Sequence, residues 1–185
     1  MVSYLIWGIV IAVFVIVAVF AYYFNRIVIL GNRADNAWSQ IDVQLKKRAD
    51  LVPNLIETVK GYMKHEKGVF EAVTAARSSW MGAKTNAEKA KAGNELAGAL
   101  KSILAVSENY PQLKANENFN ILMEELSGIE NKIAYARQFY NDSILGYNNT
   151  VTTFPGMFFA GLFGKKEKEF LEIAPAEREN VKVQF

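Results

Sequence analysis

From Tyr4 to Phe24 the chain has no charged side chain. Those roughly 21 residues are enough to cross a hydrocarbon core of about 30 Å as one helix. Tyr4 and Trp7 stand at one end of the run and Tyr22 and Tyr23 at the other, where interfacial aromatics belong. A cleaved signal peptide is the rival reading, since Val19 and Ala21 could serve as small residues before a cleavage site. However, Met1 to Ser3 carry no basic side chain and the run exceeds an ordinary signal core, so a retained, integral, single-pass anchor is expected. Arg26 and Arg33 follow the run closely, with Lys46, Lys47 and Arg48 beyond. The positive-inside rule then predicts a cell-membrane protein with its N-terminus outside and its C-terminal domain in the cytoplasm.

Beyond the anchor the hydrophobic period is helical nearly throughout. Alternating steps of three and four from Trp38 meet Ile41, Leu45, Arg48, Val52, Leu55, Val59, Tyr62, Glu66, Val69, Val73, Ala76 and Trp80. Only Arg48 and Glu66 break that apolar seam, and Ile56, Met63 and Phe70 widen it beyond a coiled-coil edge. The seam runs in register through Pro53, which predicts a kink at Ala49, with Asp50 able to cap a restarted helix. Counted backwards it reaches Gly31 and Ile27, so a nearly continuous stalk can join the anchor, with Gly31 the expected break. Thr85-Asn-Ala-Glu88 reads as a capping box opening a second helix to about Asn109, whose alanine-rich first half is expected to be exposed. Asn116 caps a third, which stops at Pro155 and Gly156. The fold class is therefore all-α: an N-terminal transmembrane helix followed by an antiparallel bundle of three to four long helices. The expected divisions are 1–31 for the anchor, 32–155 for the bundle and 156–185 for an apolar, then charged, C-terminal segment.

Composition removes several function classes. The chain has no cysteine and one histidine, which excludes thiolate metal sites, thiol nucleophiles and most histidine-based chemistry. A net charge of +2 gives no ground for nucleic-acid binding. Asp42, Glu57, Glu66, Glu124 and Glu125 could gather between helices, but the Glu-x-x-His pairs of di-iron bundles are missing. His65, in Lys-His-Glu-Lys, lies beside the seam and reads as solvated. No catalytic, metal-binding or cofactor-binding residue is expected.

Several blocks resemble the LemA family: Asn-Ala-Trp-Ser-Gln-Ile-Asp-Val-Gln-Leu-Lys-Lys-Arg from Asn36 to Arg48, and Asp-Leu-Val-Pro-Asn-Leu-Ile-Glu-Thr-Val-Lys-Gly-Tyr from Asp50 to Tyr62. Ala-Arg-Gln-Phe-Tyr-Asn at Ala136 to Asn141 and Tyr-Asn-Asn-Thr-Val-Thr-Thr-Phe-Pro at Tyr147 to Pro155 continue the likeness. The resemblance implies a bacterial, single-pass membrane protein with a long-helix bundle, and it carries no established catalytic residues.

Two candidate sites remain. Arg48 and Glu66 occupy seam positions where a lone charge is costly, so they either join a structural ion pair, with Arg137 a further member, or line a polar groove for a protein partner. The apolar stretch from Gly156 to Gly164 is too short to span a bilayer. It either caps the bundle or touches the membrane through Phe158, Phe159 and Phe163, with Lys165, Lys166 and Lys168 at the headgroups. Tyr140-Asn141 and Tyr147-Asn148 repeat at heptad distance and are expected to set helix register. These features favour a non-enzymatic scaffold binding protein partners or the membrane surface, with a role in envelope organisation. The alternative is a membrane-tethered sensory module coupling span to bundle. A homo-oligomer is compatible with either.

Overall fold

The structure is a computed structural model and describes residues 1–171; the final part of the expected C-terminal segment, 172–185, lies outside the described residues. The described residues form six helices and no strand: α1 (Val2–Lys60), α2 (Lys67–Gly82), α3 (Asn86–Ser107), α4 (Pro111–Lys114), α5 (Glu117–Thr152) and α6 (Gly156–Leu162). This is the all-α architecture expected, an apolar N-terminal helix followed by a bundle whose four long members are α1, α2, α3 and α5. Two compact units can be described, Met1–Ala37 with Gln138–Phe170, and Trp38–Arg137.

In the Trp38–Arg137 unit the core draws on α1 to α5. Ala49, Val52, Leu55 and Val59 of α1 are buried together with Met63, Val73, Leu96, Ile103, Leu113, Phe119 and Leu126. The seam read from Trp38 is the buried face of α1, but it does not continue as one helix to Trp80. The chain turns at Gly61–Glu66, where the Tyr62 and Met63 amides both donate to the Val59 carbonyl. Glycine, with its high helix cost, followed by the polar run to Lys67 permits this turn, while Met63 still enters the core from within it. The break expected at Gly31 is absent, and no helix restarts at Asp50, because α1 runs through Gly31 and Pro53 without interruption. Asp50 accordingly caps nothing and instead accepts from Lys46 at 2.6 Å.

The capping box at the start of α3 forms as its sequence predicts. The Glu88 amide donates to Thr85 Oγ1 at 3.2 Å, and the Thr85 amide donates to Glu88 Oε2 at 3.0 Å. The Lys84 amide also donates to Glu88 Oε2, at 2.8 Å, and the Lys84 and Thr85 amides together hold the Glu88 carboxyl below its ordinary pKa. Asn116 also caps as expected, accepting from the Phe119 amide at 3.0 Å. The alanine-rich first half of α3 is not exposed throughout: Ala92 and Gly93 are buried. Small residues there bring the α3 backbone close to α1, since a Cβ on Gly93 would sit 3.0 Å from Leu45 Cδ2.

In the other unit, Ile27 of α1 packs with Tyr147, Val151 and Ala160. The N-terminal part of α1 contains an 18-residue window of mean hydropathy 2.8, none of which is buried. An apolar helix with no protein around it is what a lipid-facing span requires.

Candidate functional site

The short helix α6 follows α5 because Pro155 and Gly156 allow a tight reversal. Gly156 is obligatory in that packing, since a Cβ there would lie 2.0 Å from the Thr150 carbonyl oxygen. At the other end Gly164 adopts a φ of 62°, the Gly164 amide donates to Gly161, and the Lys165 amide donates to Ala160. That pair of bonds is a Schellman ending, and its left-handed residue is the one glycine suits best.

This geometry divides the aromatics of the segment between two faces. Phe159 stacks on Tyr23 with ring centroids 5.0 Å apart and meets Phe20 edge-on at 6.0 Å. Phe163 meets Phe20 at 5.2 Å and Phe24 at 5.0 Å, again edge-on. All three partners lie in the last turns of the uncharged run of α1. On the other face Phe154, Met157, Phe158 and Leu162 are exposed, Phe158 by 68% and Leu162 by 63%. Phe159 and Phe163, expected at the membrane or over the bundle core, thus pack on the end of the uncharged run of α1, and the apolar side chains on the other face are left exposed.

The chain after α6 is tied down by polar contacts. Asn148 Nδ2 donates to the Lys168 carbonyl and the Lys168 amide donates to Asn148 Oδ1, both at 2.9 Å. Lys168 also pairs with Asp35 and lies 5.6 Å from the Tyr147 ring centroid. Asn148 therefore fixes the extended segment against α5 rather than the register of one helix on another. Lys165 and Lys166 are exposed. Near the end of the span, Arg26 donates to the Tyr22 hydroxyl at 2.8 Å and to Thr150 Oγ1 at 3.4 Å.

The three residues of the candidate partner groove are not brought together as one set. Arg48 is 2% exposed; its Nη1 donates to Glu130 Oε2 at 2.8 Å and its Nη2 to the Gly93 carbonyl, while Nε has no partner. Burial pushes the Arg48 guanidinium below its ordinary pKa; the charge and hydrogen bond of Glu130 oppose that shift, and Arg137 reinforces it by repulsion. Arg137 itself donates to Asn94 at 2.6 Å. Glu66 lies at the start of α2 and accepts from the Tyr110 hydroxyl at 3.2 Å. Glu130, the acid that neutralises Arg48, was not singled out from sequence; its place on the α5 heptad, one residue after the seam position Ile129, was the available signal.

The acidic side chains are likewise dispersed. Both Asp42 oxygens accept from Lys89 at 2.8 Å, Glu57 pairs with Lys60, and Glu124 and Glu125 are exposed. Among the described residues no three His, Asp or Glu side chains form a group able to hold a metal ion.

A profile described as the LemA family matches residues 37–185. The chain belongs to the LemA family. It is also similar to the magnetosome protein MamQ of Magnetospirillum gryphiswaldense, 24% identical over 179 residues. The likeness extends to magnetosome protein MamQ 2 of Paramagnetospirillum magneticum, 23% identical over the same length. Each match covers 83% of this chain and 66% of the relative, so it spans just under two thirds of the length of those LemA-like proteins. The LemA match begins at Ala37, after the apolar window. Relatives and window together support a membrane-associated LemA protein.

Proposed function

We propose that this LemA-family chain is a single-pass membrane protein whose bundle is a non-enzymatic scaffold, binding protein partners or the membrane surface and contributing to envelope organisation. The observation carrying this reading is α6, anchored by Phe159 and Phe163 on Phe20, Tyr23 and Phe24 while Phe158 and Leu162 stay exposed. An apolar face beside the end of a span is best covered by lipid at the interface. The same cluster argues for retention of the span, because signal cleavage after Ala21 would remove Phe20 from it. Residues 1–31 then serve as anchor, 32–155 as the LemA-like bundle and 156–185 as an apolar, then charged, C-terminal segment whose helix α6 returns to the membrane. The N-terminus lies outside and the bundle in the cytoplasm, with Arg26 and Arg33 on the inner side. The relatives' names refer to a subcellular structure and to no reaction, which supports an organising role.

The test is proximity labelling from a tag on the bundle in the native membrane, comparing wild type with a Phe158→Ser, Leu162→Ser variant and with a combined Asp42→Asn, Glu57→Gln, Glu66→Gln variant. A scaffold loses neighbours and phenotype together in the first. Loss of phenotype in the second, with folding and neighbours retained, would instead restore an enzymatic reading. One observation favours the sensory alternative, the unbroken helix through Gly31 that a signal along α1 requires. A flexible insertion after Gly31 that leaves the phenotype unchanged excludes it.

A further inference from the structure

Around α6 the charges are unbalanced. From Ser143 to Gly164 the chain has no charged side chain, and Lys165 and Lys166 follow at once, three residues beyond the exposed Leu162. Both lysines are exposed, and among the described residues neither makes an ion pair. On α1 the first charge after the uncharged run is Arg26, which donates to the hydroxyls of Tyr22 and Thr150 and meets no carboxylate among the described residues. The first acid on α1, Asp35, is taken by Lys168. Glu169 lies farther along, its carbonyl accepting from the Tyr140 hydroxyl about two turns down α5 from Asn148. Glu167 alone is left to answer Arg26, Lys165 and Lys166.

We propose that this edge binds anionic phospholipid, with Phe158 and Leu162 among the acyl chains and Arg26, Lys165 and Lys166 at the phosphates. The inference rests on the membrane contact of α6 proposed above and adds the class of lipid. Charge complementarity selects that class: a zwitterionic headgroup brings its own cation to the edge, whereas an anionic one supplies the missing counter-charge. Each basic side chain near an anionic surface strengthens association about fivefold. An acidic soluble protein could answer the lysines but not the apolar face, which adjoins the end of a helix whose apolar window has no protein around it.

The test reconstitutes the full chain in phosphatidylcholine bilayers and measures the motionally restricted fraction of spin-labelled phosphatidylglycerol against spin-labelled phosphatidylcholine. The expected result is a preference for phosphatidylglycerol of about threefold or more at low salt. It should collapse near 1 M salt, where the screening length falls to about 3 Å. Lys165→Gln with Lys166→Gln should lose most of the preference with the circular dichroism melt unchanged, since both side chains are exposed. Lys64→Gln with Lys67→Gln removes the same charge from the Trp38–Arg137 unit and should leave the preference intact. Equal association of the two lipids, or equal effects of the two double variants, would overturn the proposal. A spin label at Phe158→Cys tells the two readings apart. A label inside the bilayer without lipid preference removes only the anionic class, whereas a water-exposed label removes the membrane contact of α6 and this inference with it.

Discussion

Arg77 Nε donates to the carbonyl oxygen of Ala49 at 2.8 Å. Ala49 lies four residues before Pro53, so its carbonyl has lost the amide that an uninterrupted helix would offer it. A cation from α2 replaces the missing donor, and α1 remains helical to Lys60. The two residues should therefore be energetically coupled. Arg77→Met is expected to cost about 1–3 kcal/mol in the wild-type chain, and distinctly less in a Pro53→Ala background where an amide returns. Thermal melts of the four proteins of the cycle give the coupling; strict additivity would show that the contact does not compensate for the proline.

The Arg48–Glu130 pair is unequal, since Arg48 is buried while the Glu130 side chain is 44% exposed. Removing the acid strands a buried cation, whereas removing the arginine leaves an acid that water can reach. Glu130→Ala is expected to destabilise by about 2–3 kcal/mol, more than Arg48→Met, and the double variant should melt no lower than Arg48→Met alone. Equal losses from the two single variants would contradict this asymmetry.

Two glycines of the Met1–Ala37 and Gln138–Phe170 unit should respond in opposite directions to alanine. A Cβ on Gly31 would meet Tyr147 Cε2 at 3.7 Å, an ordinary contact in a helix interior. Gly31→Ala should stabilise by about 0.5–1 kcal/mol. Gly156→Ala drives a methyl group into the Thr150 carbonyl and should cost about 1–3 kcal/mol or undock α6. Melting temperature reports both, and exchange protection at Phe159 and Phe163 separates undocking from strain.

Alkaline pH should weaken the same unit. Burial, followed by the charge of Asp35, raises the Tyr147 pKa; Tyr140 is raised by burial, Asp35 and Glu169. Raised folded-state values mean that the unfolded chain loses these protons first, near pH ~10. The stability they contribute is complete below that value and is lost as pH rises through the folded-state pKa values. Melts between pH 8 and 11 should show a decline that Tyr147→Phe makes shallower, and an unchanged slope would remove Tyr147 from the account.

The helices were legible because each local signal had a single physical meaning. The seam from Trp38 to Val59 is the buried face of α1, Thr85 and Glu88 close their box, and Asn116 caps α5. The turn at Gly61 is not legible, because Val59 and Val73 keep the seam's period on either side of it while belonging to different helices. Partners across the bundle were equally hidden. Pro53 announced a carbonyl without a donor, but only the fold brings Arg77 to it. Likewise, the seam announced Arg48 as a buried cation without indicating that Glu130, rather than Glu66, would meet it.

In the proposed function the exposed face of α6 rests in the membrane beside the end of the span. Because the chain has no cysteine, Phe158→Cys and Lys64→Cys each accept one spin label. Paramagnetic accessibility in reconstituted bilayers should show the label at position 158 open to oxygen and shielded from a water-soluble nickel complex, with the label at position 64 the reverse. Equal, water-like accessibility at both positions would contradict it.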